Sequence, residues 1–249
     1  MKISLITVAY NSEETIEETI LSVLSQKEID LEYIVIDGAS SDSTCNIIEK
    51  YKEHISVFVS EKDEGIYDAM NKGIHLASGD VIGILNSDDV FASNTILEKV
   101  NRAFERQNID ALYGDLVYVD RHNLDEVKRK WISGKYSTGD FKKGWMPPHP
   151  TFYVKKEVYE KYGVFNLDFS SAADYEIMLR FVHKHKIPLS YLPEIMVKMR
   201  QGGQSNASII NRLKANREDK KAWIVNGLKP GPFTLMLKPL SKLGQFIKK

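Results

Sequence analysis

The residues Ile84 to Val90, I-L-N-S-D-D-V, constrain the fold of this chain more than any other segment. An apolar run from Val81 to Leu85 stops abruptly and gives way to Asn86, Ser87, Asp88 and Asp89. A buried strand reads this way when its carboxyl end opens onto solvent, and parallel α/β sheets bind ligands at such ends. Upstream, β-rich runs at Lys2 to Ala9, Leu31 to Ile36 and Ile55 to Val59 alternate with helical patterns at Glu13 to Gln26, Asp42 to Tyr51 and Ile66 to Ala77. A helix over Asn94 to Arg106 and a strand over Ala111 to Val119 continue the rhythm. This alternation predicts an α/β protein with a mostly parallel central sheet and helices on both faces.

After Asp120 the pattern changes. Glu126 to Ile132 reads as a hairpin partner of the preceding strand, Gly139 to Pro150 as an irregular loop, and Asp174 to His185 as an amphipathic helix. Two short strands, Leu189 to Leu192 and Ile195 to Arg200, are expected next. A break at Gly202-Gly203 and a helix from about Ser208 to Val225 follow. Residues 1–225 are read as one domain, in which 120–225 builds the wall opposite 1–119, and residues 226–249 as a C-terminal helical extension. From Leu228 to Lys249 that extension carries five lysines and no acid among apolar residues. Such a segment suits an anionic membrane interface, the reading preferred here over a helix docked on the domain with its lysines in water.

Hydrophobic content of 43% and charged content of 27% are those of an ordinary globular chain, and a formal net charge of zero gives no global attraction to nucleic acid. The single cysteine, Cys45, excludes an internal disulfide and a thiolate metal cluster. The N-terminal apolar run is too short for a signal peptide, and no stretch is long enough to span a bilayer. A cytoplasmic location is expected, with the tail as a peripheral attachment to the cytoplasmic membrane face.

Four strand ends carry polar residues at one topological position: Ala9-Tyr10-Asn11, Asp37 to Asp42, Glu61 to Gly65 and Asn86 to Asp89. A parallel sheet brings them together as a polar cleft. Adjacent carboxylates there repel unless a cation is shared. Hard divalent ions take oxygen ligands and also grip substrate phosphates, so the expected ligand is an anionic nucleotide bridged by a cation. The chain has no G-x-x-x-x-G-K-[ST], no G-x-G-x-x-G after its first strand, no H-E-x-x-H and no G-x-S-x-G. NTPase, dinucleotide, zinc and acyl-transfer readings lose their support accordingly.

The strings ITVAYN (Ile6 to Asn11), VIDGASSDST (Val35 to Thr44), EKDEGIYDAMNKGI (Glu61 to Ile74) and ASGDVIGILNSDD (Ala77 to Asp89) resemble family 2 glycosyltransferases in order and spacing. The likeness runs on through HPTFYVKKEVYEKYGVFN and SAADYEIMLR to about Gln204. It implies a GT-A nucleotide-sugar fold, with 1–119 as the nucleotide-binding half and 120–225 as the acceptor side, and transfer with inversion. By the same resemblance Ala9, Tyr10 and Asn11 lie by the base, and Asp37 hydrogen-bonds the uracil ring. Asp63 approaches the nucleotide or donor sugar, Asn86 and Asp88 belong to the motif that reaches ribose or sugar, and Asp89 binds Mn²⁺ or Mg²⁺ on the diphosphate. Asp174 matches the general base, with Glu176 as runner-up. Arg200 is a candidate partner of the diphosphate, and the Gly-Gly-x-Ser loop after it a candidate lid. His149, Trp145 and Trp131 are candidates for the acceptor side.

Three positions depart from the family pattern: Asn86 replaces the first acid of the Asp-x-Asp triplet, Ala9 stands where many relatives carry Thr, and Ala173 where many carry Glu. The function expected is metal-dependent inverting transfer of a hexose or N-acetylhexosamine from a UDP-sugar to a hydroxyl of a growing glycan or glycolipid. Two alternatives stay open at this point. One is a nucleotidyltransferase acting on a sugar phosphate, although Ala9 to Thr15 lacks the basic Gly-rich loop it would need. The other is a non-catalytic nucleotide- or glycan-binding module.

Overall fold

The computed structural model describes residues 1–202 and 209–241. Strands β1 (Lys2–Ala9), β2 (Asp30–Asp37), β3 (Val57–Ser60) and β4 (Val81–Ile84) form a parallel half-sheet in the order β3-β2-β1-β4. The helices between them are α1 (Ile16–Leu24), α2 (Thr44–Glu49) and α3 (Ile66–Leu76), and α3 packs on β1 and β2. β1 is buried from Ile3 to Ala9, as a central parallel strand is. Its interior polar groups are satisfied: Ser4 Oγ donates to Glu32 Oε2 at 2.5 Å, and Tyr33 Oη donates to Thr7 Oγ1 at 3.2 Å.

Register places the binding edge. Ala9 pairs with Asp37 and Asp37 with Ser60, so three strand ends stand in one row. β4 stops at Ile84, opposite Ile6, and the chain leaves the ladder well before β1 ends. The sheet continues from β4 through β8 (Tyr153–Lys155), β6 (Ala111–Val119), β9 (Leu189–Arg200) and β5 (Asp89–Phe91), with β7 (Val127–Trp131) beside β6. β6 and β9 are parallel; β8, β7 and β5 run antiparallel to their neighbours. At the junction of the halves, a Cβ on Gly83 would lie 2.3 Å from the Tyr153 ring, so only glycine lets β4 and the buried Tyr153 approach this closely.

The mostly parallel α/β sheet and the β6–β7 hairpin match the sequence expectation. The two short strands expected at 189–200 are instead one strand, β9. Pro193 has no N–H to give the ladder, and the sheet passes it with register shifts around Gly114 and Asp115 rather than ending. β5 has only three residues and carries no periodicity that a sequence reading could detect. α4 (Ile96–Arg106) lies near its expected position, α5 (Lys156–Tyr162) follows β8, and α6 (Ala173–Met178) runs directly into a π-helical turn over Leu179–Lys184.

The C-terminal helices are α7 (Ile209–Val225) and α8 (Thr234–Ser241). α8 packs on the domain: Thr234 Oγ1 donates to the Lys142 carbonyl at 2.6 Å, and Lys238 Nζ meets Asp219 Oδ1 at 2.6 Å while lying 3.6 Å from the Tyr175 ring centroid. Through Ser241 the extension is therefore docked, whereas Lys242 to Lys249 and the Gly-Gly-x-Ser loop beyond Gly202 lie outside the described residues. Among the described residues no helix is long and apolar enough to cross a membrane.

Candidate active site

A cleft of about 910 Å³ opens along the carboxyl edge of the half-sheet, between it and the second half of the chain. Ala9, Tyr10, Asn11, Asp63, Asn86, Asp88, His149, Asp174 and Arg200 all line it, although they come from segments spread over the chain. The sheet register explains the convergence of the first six; the loops after β7 and α5 bring His149 and Asp174, and the end of β9 brings Arg200.

The end of the cleft expected to take a nucleotide is stitched by short polar contacts. Asn11 has a φ of 47°, a left-handed conformation that asparagine tolerates. Its N–H donates to Ser40 Oγ at 2.8 Å and its Oδ1 accepts from Ser41 N at 2.9 Å, tying the β1 end to the β2 end. Tyr10 is 63% exposed, an aromatic plane at the mouth suited to stacking on a base. A Cβ on Gly38 would lie 2.5 Å from Asp63 Oδ2, so this glycine admits the Asp63 carboxyl to the base end.

Asp37 does not line the cleft; its side chain is wholly buried. It accepts hydrogen bonds from Ser40 N (2.9 Å), Ser40 Oγ (2.5 Å), Ser60 Oγ (2.7 Å) and Cys45 Sγ (3.1 Å). Burial alone would raise its pKa, but these four donors outweigh that and hold it below the usual carboxylate value. In this arrangement Asp37 organises the wall behind the base end and leaves Asp63 as the acid at the surface.

The Asn86–Asp89 turn is pinned from two sides. Thr19 Oγ1 lies 2.9 Å from the Ser87 carbonyl and 2.8 Å from the Asp89 carbonyl, and Ser12 Oγ meets Ser87 Oγ at 2.8 Å. Asp88 faces the cleft; Asp89 does not. As the first residue of β5, Asp89 pairs with Met199, and its side chain is fully buried. Both Asp89 carboxyl oxygens and Asn86 Oδ1 are buried without a hydrogen-bond partner. Burial raises Asp88, with the positive charges of Arg200, His149 and Arg121 opposing. Burial and the neighbouring Asp88 charge push Asp89 well above the carboxylate range.

Orphaned oxygens beside a second acid at a cleft are what a hard divalent ion would satisfy. Among the described residues no group of three His, Cys, Asp or Glu side chains forms a closed cage. The donor set therefore fits an ion shared with a ligand's phosphates rather than one held by protein alone. Of the two acids, Asp88 lines the cleft, and Asp89, the expected ligand of the ion, stands behind it with both carboxyl oxygens unpartnered.

Arg200 was expected to pair with a diphosphate, yet it is only 4% exposed and its guanidinium is committed. Nη1 donates to the Asp88 carbonyl (2.7 Å), Nε to the Arg121 carbonyl (3.0 Å), and Nη2 pairs with Glu18. It buttresses the acidic turn from behind. Arg121 is the cation at the cleft surface, half exposed and bonded to Glu14 at 3.0 Å. The sequence held no signal for it, because it follows a strand in an ordinary charged turn.

On the opposite wall Asp174 sits in the first turn of α6. Its Oδ2 lies 3.4 Å from His149 Nδ1, and Tyr67 Oη donates to its Oδ1 at 3.4 Å. Burial and the Asp174 charge raise the Tyr67 hydroxyl, which stays a donor. His149 and Asp174 thus share one wall, as a base and a neighbour that orients it would. Tyr67 was inside a quoted motif but had not been singled out. Glu176 is not in the cleft: it is 2% exposed and bound by Arg180 Nε (3.0 Å) and Asn226 Nδ2 (2.8 Å). Trp145 is also elsewhere, with Nε1 donating to the Ser133 carbonyl (2.9 Å) and its ring packed against Tyr113, Tyr136 and Phe141. Trp131 is buried against Tyr118.

A parallel half-sheet with an acidic turn at its edge, facing a wall that bears a candidate base, defines a GT-A-type sugar transferase. The family model Glycosyl transferase family 2 matches residues 4–163, and the chain belongs to that family. It is similar to an uncharacterized glycosyltransferase of Mycobacterium tuberculosis, with 32% identity over 188 residues, covering 72% of this chain and 68% of that protein. A PGL/p-HBAD biosynthesis glycosyltransferase of Mycobacterium bovis is 24% identical over 195 residues, covering 76% and 73%. Among solved structures, S. aureus TarS 1–349 superposes with a TM-score of 0.70 at 18% identity, over 98% of this chain and 72% of that one. The mannosyltransferase PcManGT from Pyrobaculum calidifontis, in complex with GDP-Man and Mn²⁺, gives 0.67 at 19% identity, over 97% and 69%. Family membership decides between the alternatives left open above: the protein is a glycosyltransferase.

Proposed function

We propose that this enzyme transfers a hexose or N-acetylhexosamine, with inversion, from a UDP-sugar to a hydroxyl of a growing, lipid-linked glycan. The observation that carries the reading is the pairing, across one cleft, of the Asn86–Asp89 turn with Asp174. The base stacks on Tyr10 and meets Asp63, and the diphosphate lies between Asp88 and Arg121. Asp88, with Asn86 and Asp89 behind it, would hold Mn²⁺ or Mg²⁺, whose Lewis acidity stabilises charge on the departing diphosphate. Asp174 accepts the proton of the attacking hydroxyl, with Tyr67 and His149 fixing its orientation. A TarS structure contains UDP-GlcNAc and PcManGT contains GDP-Man, which supports a nucleotide-sugar donor.

A thermal-shift screen of UDP-glucose, UDP-galactose, UDP-N-acetylglucosamine and GDP-mannose, with and without Mn²⁺, tests this directly. A ligand at 100 times its Kd stabilises by about 2.7 kcal/mol. The largest shift is expected with a UDP-sugar plus Mn²⁺. A shift with GDP-mannose alone would replace uracil by guanine, and no shift with any donor would end the reading.

The C-terminal segment supports attachment to an anionic membrane surface where a lipid-linked acceptor resides. No acid occurs after Asp219, while seven lysines do, and Phe233 (63% exposed) and Leu237 (37% exposed) lie bare on the docked part. Truncation after Ser241 combined with Phe233→Ser spares the α8 contacts, and is expected to abolish co-sedimentation with phosphatidylglycerol vesicles at low salt. Undiminished co-sedimentation would exclude this surface.

A further inference from the structure

We infer that Glu218, on α7, is a positioning residue for Asp174: it clamps the loop from which the catalytic helix starts. This rests on the reading of Asp174 as the base. The loop between α5 and α6 is held at its first turn by Asn71, whose side chain accepts from Phe165 N and donates to the Phe165 carbonyl, both at 2.9 Å. At its far end, all four donors of Ser170 and Ser171 converge on the Glu218 carboxyl. Ser170 N and Oγ reach Oε1 at 3.1 and 2.6 Å, and Ser171 N and Oγ reach Oε2 at 2.9 Å each. Ser170 and Ser171 themselves line the cleft, and the next two residues lead into Asp174.

Further contacts bind the same two elements: Trp223 Nε1 donates to Tyr175 Oη at 3.0 Å, and Asn226 Nδ2 to Glu176 Oε1 at 2.8 Å. Those lie behind α6 and fix its packing. Glu218 acts instead on the two residues just before the start of α6, while Lys221 on the same helix holds the loop further back, its Nζ donating to the Asp168 carbonyl at 2.7 Å. The four donors favour an ionised carboxyl, so the clamp is a charge-assisted one and stronger than neutral hydrogen bonds would be. A general base works only in near-attack geometry, where a displacement of about 1 Å costs on the order of a hundredfold in rate.

The test uses the full chain and the nucleotide sugar giving the largest shift in the screen, with UDP release read as turnover and water or acceptor as nucleophile. Glu218→Ala is expected to lower kcat roughly ten- to a hundredfold while donor KM and UDP affinity stay within twofold. Glu218→Gln, which keeps an acceptor oxygen, is expected to recover part of the loss. Ser170→Ala/Ser171→Ala should match Glu218→Ala, and the combined variant should be no worse than either, because both remove one interaction. Hydrogen exchange should rise over residues 166–174 and stay unchanged over 9–15 and 86–89. Turnover within twofold of the parent, or UDP affinity falling in step with kcat, would overturn the inference. If Asp174→Asn retains transfer, the underlying reading fails instead; if only Glu218→Ala retains it, the clamp alone does.

Discussion

Asp174→Asn is expected to reduce sugar transfer by about 10²–10⁴-fold, the usual contribution of a general base, with UDP affinity and donor KM unchanged. The amide keeps the size of the carboxyl and can still accept from Tyr67, which lies 3.4 Å from Oδ1. It cannot take a proton from a hydroxyl. Because Asp174 stands on the wall facing the acidic turn, its loss leaves Tyr10, Asp63, Asp88 and Arg121 in place. The expected signature is therefore a fall in kcat alone, measured as UDP release at saturating donor and acceptor. His149→Ala should cost less, since it orients the base without replacing it. Retention of more than a tenth of parental turnover in Asp174→Asn would place the base elsewhere.

The second large effect separates two neighbouring acids. Asp89→Asn is expected to stabilise the metal-free protein at neutral pH, because it removes a buried carboxylate whose oxygens have no partner. The introduced amide also offers a donor to the neighbouring Asn86 Oδ1, which lacks one. Satisfying a buried polar group is worth about 1–3 kcal/mol, and each kcal/mol moves Tm by roughly 2–4 °C for a domain of this size. The sign follows from the raised pKa of Asp89. Above the unfolded-state carboxylate value the unfolded chain binds fewer protons than the folded one, so stability falls as pH rises toward the folded pKa. The Tm advantage of Asp89→Asn should accordingly be small near pH 4 and grow as pH increases.

Asp88→Asn should instead abolish the Mn²⁺-dependent part of UDP binding, because Asp88, unlike Asp89, lines the cleft. Calorimetry of UDP with and without Mn²⁺ distinguishes the two. If Asp89→Asn loses the metal-dependent component as fully as Asp88→Asn, the turn rearranges on binding and Asp89 is itself a ligand. If neither loses it, the ion is not held by this turn.

The α/β class was legible because β1, β2 and β4 are short apolar runs that end in polar residues, while α1 and α3 carry helical periodicity. Both signals are local. The cleft was legible for a related reason: in a parallel sheet strand ends must share an edge, so the amino-acid order alone groups Ala9, Asp63 and Asp88. What the sequence could not give is which side chains of a motif reach the cleft and which are taken up by other partners. Asp89 and Asp88 are adjacent and chemically identical, yet the antiparallel pairing of β5 with β9 buries one and leaves the other at the surface. Arg200 has the right chemistry for phosphate, but acceptors from residues 18, 88 and 121 engage all three of its guanidinium nitrogens. Glu176 and Trp145 are likewise engaged by partners distant in the chain. The tail looked separable because its composition changes, whereas Asp219, Tyr175 and the Lys142 carbonyl receive α8.

The amino-acid order by itself determined the family, the parallel half-sheet and the edge at which chemistry gathers, since periodicity and motif spacing are properties of neighbouring residues. Tertiary structure decided which acids line the cleft and which serve as struts behind it. It also decided that a helix near the C-terminus holds the loop leading to Asp174. Those outcomes depend on burial and on hydrogen-bond partners tens to hundreds of residues away, which come into reach only when the chain has packed.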